Sequence, residues 1–299
     1  MTKFIEHRTG RRRPSKKIAV LYHKGCTDGF GAAWAAFRSL GKSAEYIPVE
    51  HQTPPPDGLT GKTIYLLDFT YTRDVMERLI RDNVRVTALD HHLSSRAETE
   101  MTEDFRYSQD HSGAVVAWEY FHPGVPVPFI LQVIEDIDLH RFALPDSATV
   151  SDWLDVFDFD FKVYTKLART LASEAGRRRA LRHGAFVQQY RTKCVDRLIS
   201  NNSYEVDFEG QRVLAVTSEL FHSEIGSQLA VGRPFSVVWR MRSSGPYVSL
   251  RSAPEGANVA EIALRYGGGG HAHAAGFKVA RLEDLPFRPV REVLKESTS

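Results

Sequence analysis

The run Val84-Arg85-Val86-Thr87-Ala88-Leu89 ends abruptly in Asp90-His91-His92. A β-branched apolar run without polar alternation predicts a strand covered on both faces, as in parallel α/β sheets. Its one carboxylate and two imidazoles then fall at the carboxyl end, where open α/β sheets hold ligands. Two earlier segments repeat the design: Ile18-Ala19-Val20-Leu21-Tyr22 runs into His23, Cys26 and Asp28, and Ile64-Tyr65-Leu66-Leu67 runs into Asp68. As neighbouring parallel strands, these three would bring their imidazoles and carboxylates into one crevice. Like charges so close repel and lose hydration, at a cost of several kcal/mol unless a cation compensates. Oxygen ligands with a few imidazoles suit manganese or magnesium better than a thiolate-seeking metal.

At 299 residues and 42% hydrophobic content the chain can hold two globular domains. No apolar run approaches 18 residues, and the first 16 are polar and basic, so the expectation is a soluble protein that is neither secreted nor membrane-bound. Cys26 and Cys194 stand far apart in different contexts, which suggests no disulfide and suits the reducing cytoplasm. A formal net charge of +2 does not describe a protein that grips long duplex nucleic acid through its overall field. Lys3, Arg8, Arg11, Arg12, Arg13, Lys16 and Lys17 make the start of the chain basic. That stretch is read as a disordered, solubilising tail, with a nucleic-acid-contacting arm as the alternative.

Gly29-Phe30-Gly31-Ala32-Ala33 supplies the small residues that let a helix lie close to the sheet. Trp34 stands where a dinucleotide fingerprint needs its third glycine. Gly41-Lys42-Ser43 and Gly61-Lys62-Thr63 lack the leading glycine of a P-loop. A short strand is expected near Ala44 to Val49 and a helix from Thr72 through Ile80, so the first 92 residues follow a β-α-β-α-β order. The fold class is α/β: a doubly wound, mainly parallel sheet followed by a second, smaller α/β domain. Apolar helices are expected at Ser112–Phe121 and from Pro128 toward Glu135-Asp136-Ile137-Asp138. Boundaries follow as a tail over 1–16, a metal-binding domain over 17–150, a helical connector over 151–202 and the second domain over 203–299. Val187, Tyr190, Cys194 and Leu198 form an apolar stripe on the connector, with Cys194 a buried, inert thiol. The second domain carries strands near 213–216, 235–239 and 247–251 and a helix near 259–266.

Asp90-His91-His92 after an apolar strand, with His23-x-x-Cys26-x-Asp28-Gly29 and Asp68 upstream, resembles the DHH phosphoesterase superfamily. Ser249-Leu250-Arg251-Ser252, followed by Gly267-Gly268-Gly269-Gly270-His271-Ala272-His273, is similar to the DHHA1 substrate-binding domain that often accompanies it. The resemblance implies two-metal hydrolysis of a phosphodiester or phosphoanhydride, with Mn2+ expected and Mg2+, Co2+ or Zn2+ as alternatives. It implies that His23 and Asp68 hold one ion. Asp28, Asp68, His91 and either Asp136 or Asp138 hold the other, with Asp136 slightly preferred. It also places Asp90 behind the ligands and His92 toward the phosphate. Cys26 departs from the pattern, since relatives carry a carboxylate near that position; as a ligand it would soften the site toward zinc, iron or cobalt.

Gly268, Gly269 and Gly270 let backbone N–H groups approach an anion, to which Arg251 and His271 add charge and donors and His273 a weaker contact. The expected substrate is a short oligoribonucleotide or dinucleotide, cleaved to nucleoside monophosphates. A 3′,5′-bisphosphate nucleotide or a cyclic nucleotide is the alternative substrate, and a nucleotide-sensing module without catalysis the non-enzymatic one. A homodimer is compatible with the chain.

Overall fold

The computed structural model describes residues 16–50, 53–242 and 245–290. Apart from Lys16, the basic tail read over 1–16 lies outside them. The chain divides into two units, 1–187 and 188–299.

Five parallel strands build the first unit, β1 (Ile18–His23), β2 (Ala44–Val49), β3 (Thr63–Leu67), β4 (Arg85–Asp90) and β5 (Asp104–Tyr107), in the order β2-β1-β3-β4-β5. The chain builds outward from β1 to β2 and then crosses to β3 on the other side. Strand order therefore reverses between β1 and β3, and the crossovers on either side leave a crevice beyond the carboxyl ends of these strands.

Both faces of the sheet are covered, so the inner strands β1, β3 and β4 are mainly apolar. Val20, Leu67 and Leu89 pack beneath α1 (Thr27–Leu40), α4 (Gly113–Phe121) and α5 (Phe129–Asp138). Ala19, Leu21, Ile64, Leu66, Val86 and Ala88 face α2 (Arg73–Asp82), which buries Met76 and Leu79 against them. A short helix, α3 (Arg96–Thr99), lies between β4 and β5. The small residues of α1 act as expected: a methyl group on Gly29 would lie 2.4 Å from the His23 carbonyl oxygen, and one on Gly31 would lie 2.9 Å from Ala114 Cβ.

The segment read as a connector differs from that reading. Helices α6 (Ser147–Leu154) and α7 (Phe161–Leu171) belong to the first core, where Trp153, Leu154, Tyr164 and Leu167 join the α1 and α5 cluster. Phe30 stacks on Phe161 and meets Tyr164 edge-on. Asp160 starts α7 by accepting from the Lys162 and Val163 amides. The division between units falls inside α8 (Glu174–Asn202). On its later turns Val195 is buried, whereas Tyr190 is exposed and Cys194 half-buried. The expected stripe was therefore placed on the wrong side of the helix at those positions.

Among the described residues the second unit carries seven strands ordered β10-β11-β9-β8-β7-β6-β12. They are β6 (Tyr204–Phe208), β7 (Gln211–Thr217), β8 (Ser236–Arg242), β9 (Gly245–Arg251), β10 (Gly269–His271), β11 (Ala274–Lys278) and β12 (Phe287–Pro289). Only β7 and β8 pair in parallel. The unit is α/β as expected, with α9 (His222–Ala230) and α10 (Val259–Arg265). Among the described residues no helix is long and apolar enough to cross a membrane.

Gly31→Val should overpack the α1–α4 contact and destabilise the protein by about 1–3 kcal/mol. Denaturant unfolding followed by circular dichroism measures it, and an unchanged midpoint would show that the two helices can separate freely.

Candidate metal centre

Asp68 follows β3 directly and takes a left-handed backbone conformation, φ 63°. For a non-glycine residue that conformation costs roughly 1–3 kcal/mol. Its amide donates to Leu89 O at 2.9 Å, which ties the turn to β4. The carboxylate is buried, with one oxygen 3.5 Å from His23 Nδ1 and the other 3.2 Å from His91 Nε2. It thus stands between the ends of β1 and β4, at the reversal of strand order.

Asp28 enters from the first turn of α1, also buried, with Oδ1 accepting from the Ala114 amide at 3.0 Å. Its other oxygen lies 3.8 Å from His91 Nε2, and Asp138 Oδ2 lies 3.5 Å from the same nitrogen. The side chains form groups whose ligand atoms lie within 4.8 Å of one another, His23, Cys26 and Asp68 in one and Asp28, His91 and Asp138 in another, and a further group of Asp68, Asp90, His91 and His92 overlaps both.

The electrostatics of this cluster are unbalanced. Burial, then the charges of Asp68 and Asp138, push Asp28 well above the usual carboxylate range. Burial and Asp68 raise Asp138 as well. Burial would also raise Asp68, but His23 and His91 outweigh it and hold that carboxyl low. Asp28 Oδ2, both Asp68 oxygens and His91 Nε2 are buried without a hydrogen-bond partner. Leaving such groups unsatisfied costs about 1–3 kcal/mol each, and more when charged. Orphaned acceptors converging with like charge are the donor set that a divalent cation satisfies, so these residues fit the expected metals.

Asp90 is used differently. Its Oδ1 accepts from the His91 and His92 amides at 2.7 and 3.2 Å and contacts His92 Nδ1 at 2.8 Å, and its Oδ2 accepts from Ser95 Oγ. Those donors occupy the carboxylate, which shapes the turn and orients His92. Burial would lower the His92 pKa, but Asp90 and then Asp68 raise it to about 9. His92 therefore holds a proton at neutral pH, with Nδ1 3.8 Å from Asp68.

The two carboxylates of α5 have separate placements. Residues two apart on a helix point about 200° apart, so one helix end cannot aim both at one point. Asp138 faces the cluster. Asp136 accepts from the Ala143 and Leu144 amides at 2.8 and 3.2 Å, fixing the loop after the helix. The slight preference for Asp136 as a cluster residue is corrected in favour of Asp138. Cys26 caps α1 without a side-chain cap hydrogen bond and reaches His23 and Asp68. Burial, then Asp68 and Asp28, push its thiol well up.

Two supports were not foreseen. Gly113 begins α4 so close to the carboxylates that an added Cβ would lie 2.7 Å from Asp68 Oδ1 and 2.9 Å from Asp28 Oδ2. Glu135 fixes that helix start, accepting from the Ser112 amide at 3.0 Å and contacting His111 Nδ1 at 3.0 Å. The Ser112-Gly113-Ala114 helix start was legible, but its approach to Asp68 depends on tertiary packing.

In the second unit, β10, β11 and β9 align His271, Ala274 and Arg251 in one row. Arg251 donates to Ser223 Oγ at 2.9 Å and to Leu250 O at 2.8 Å, and His273 Nδ1 lies 3.0 Å from Ser252 Oγ. The glycine run differs from an open anion cradle. Gly268 gives its amide to Ala263 O, and a Cβ there would lie 2.2 Å from Gly276 O. Gly270 is pressed on β11 in the same way, whereas Gly269 has open space where a Cβ would stand.

No family model matches the chain. It is 29% identical over 297 residues to the uncharacterized protein R106 of Acanthamoeba polyphaga mimivirus, covering 91% of this chain and 70% of that protein. A 65-residue stretch is 43% identical to the oligoribonuclease NrnB of Bacillus subtilis (strain 168), covering 21% of this chain and 16% of that protein. Among solved structures, the pGpG-specific phosphodiesterase PggH from Vibrio cholerae superposes with a TM-score of 0.48 at 16% identity, over 90% of this chain and 95% of that one.

Gly113→Ala should displace Asp68 and Asp28 and weaken Mn2+ binding by at least tenfold while leaving the far-UV circular dichroism unchanged. Titration calorimetry on the two proteins reads this, and equal affinities would show that the carboxylates can move aside without loss.

Proposed function

We propose that the chain is a two-metal phosphodiesterase of the DHH type that cleaves short oligoribonucleotides or dinucleotides to nucleoside monophosphates. The observation that carries this reading is Asp68: a buried carboxylate, neither oxygen hydrogen-bonded, ion-paired at 3.5 Å with His23 on one side and at 3.2 Å with His91 on the other. His23 and Asp68, with Cys26 beside them, would hold one divalent ion; Asp28, Asp68, His91 and Asp138 would hold the second. Bound there, the ions would supply neutralisation of the phosphate's nonbridging oxygens and a water acidic enough to attack.

The chain's own groups complete the chemistry. His92, whose imidazolium Asp90 favours, borders the cluster, where it could protonate the departing oxygen. Asp90 keeps that imidazole oriented through the 2.8 Å contact at Nδ1. In the second unit Arg251 and His271 are the proposed substrate-binding groups, with the Arg251 guanidinium held by Ser223 Oγ. The stretch shared with a protein named oligoribonuclease supports RNA fragments over other phosphodiesters. Manganese is the expected metal, and the reaction belongs to a soluble, cytoplasmic setting where short RNA ends arise.

Incubation with a panel of dinucleotides, bisphosphate nucleotide, cyclic nucleotides and polyphosphate, each with Mn2+, tests the assignment. Dinucleotide turnover is expected; turnover of polyphosphate alone would replace the reading. Asp68→Ala and His91→Ala should abolish both hydrolysis and stoichiometric Mn2+ binding, while His92→Gln should lose about 10²–10⁴-fold in rate with metal binding kept. Substantial activity of Asp68→Ala at saturating Mn2+ would sink the two-metal arrangement.

Cys26→Asp should shift metal preference toward Mn2+, because oxygen replaces sulfur beside His23 and Asp68. Competition binding between Zn2+ and Mn2+ reads the shift, and identical preferences in both proteins would make Cys26 a bystander.

A further inference from the structure

The loop after α5 has properties that the metal centre alone does not require. His140 and Phe142 both adopt left-handed backbone conformations, φ 50° and 48°. Neither residue is suited to that region, and each such residue costs roughly 1–3 kcal/mol where the surroundings do not impose it. Here they do. Asp136 holds four successive amides: its carbonyl oxygen accepts from Arg141 and Phe142 at 2.9 and 3.4 Å, and its carboxylate accepts from Ala143 and Leu144. Arg141 is drawn the other way, donating to Asp110 O at 2.6 Å and to Glu135.

The outcome is a fixed segment that presents aromatic rings to solvent. Phe142 is 57% exposed, and its ring lies 5.9 Å from that of His140. His140 stands two residues beyond Asp138, the last residue of α5. On the β4 side, Leu93 directly follows His92 and is 68% exposed. A chain that needed only to place Asp138 would gain by turning Phe142 inward or by using glycine at a left-handed position.

We propose that Phe142, with His140 beside it, is a nucleobase-stacking platform next to the Asp138 edge of the metal centre. Every base has a π-face, so such a platform binds nucleotides with little sequence preference. Pre-setting the rings through Asp136 removes part of the ordering cost at binding. This site rests on the phosphodiesterase reading for the attached phosphate, but its test does not depend on turnover.

Phe142→Gly is the informative variant, because glycine accepts the left-handed conformation without strain and the loop should keep its course. Phe142→Tyr keeps a stacking ring. Equilibrium binding of a phosphorothioate-linked dinucleotide carrying 2-aminopurine is followed by fluorescence quenching on the full chain with Mn2+. Parallel kinetics compare a natural dinucleotide with its abasic analogue. The expected result is a five- to hundredfold weaker dinucleotide affinity in Phe142→Gly, lost quenching, near-parental values in Phe142→Tyr, and no change on the abasic analogue. Equal quenching and affinity in the parent and Phe142→Gly would overturn the platform. So would an equal loss on the abasic analogue, which would make the loop a support for Asp138. Absence of hydrolysis by the parent would overturn the phosphodiesterase reading alone, since the fluorescence measurement would still decide whether Phe142 stacks on a base.

Discussion

A carboxylate that is buried, left-handed in backbone and without a hydrogen bond at either oxygen is the constraint around which the first unit is arranged. Asp68 occupies the one place where the sheet order reverses, so β1, β3 and β4 all deliver polar groups to it from their carboxyl ends. An apolar sheet buried on both faces can tolerate such a group only if something of opposite charge meets it. His23 and His91 do so in part, which is why Asp68 stays low while Asp28 and Asp138, facing the same charge, are driven up. The imbalance is a property of the protein's own side chains, and a cation of two charges removes it.

Holding the carboxylates in place requires helices that approach the strand ends very closely. Gly29 brings α1 against the His23 carbonyl, and Gly113 brings the start of α4 against Asp68 and Asp28. There the Ala114 amide accepts the role of counter-dipole to Asp28. Glu135 ties that helix start to α5, whose last turn separates its own carboxylates between two tasks. Asp138 serves the cluster, and Asp136 serves the loop. One helix end thereby fixes the carboxylate and imidazole cluster and the path of the chain leaving it.

The parts legible in the sequence were those with a local signature. Buried parallel strands are continuous apolar runs, so β1, β3 and β4 and the residues at their ends could be located from pattern alone. The polar edge strand β5, Asp-Phe-Arg-Tyr, has no such run, and β10 lies in glycines that carry no strand signal. Asp136 and Asp138 both stand in the last turn of one helix, and only the direction of that helix relative to the sheet distinguishes them. The glycine tetrad was legible as a need for small residues but not for its cause. At Gly268 and Gly270 that cause is the approach of β11, which leaves no room for a side chain.

Cys26 shows how the charge balance extends beyond the carboxylates. Its thiol is raised by burial and by two neighbouring aspartates, so without a cation it keeps its proton. A carboxylate in that position would add a fixed negative charge to a cluster that already drives Asp28 and Asp138 toward protonation. A thiol adds none until an ion arrives, and ligation then requires loss of the proton. A thiol in that position therefore leaves the metal-free protein less self-repulsive than a carboxylate would, and as a ligand it would couple ion capture to proton release. The same burial that penalises a free thiolate would exclude water from a bound one, and as a ligand the sulfur would give this side of Asp68 a softer character than the Asp28, His91 and Asp138 side.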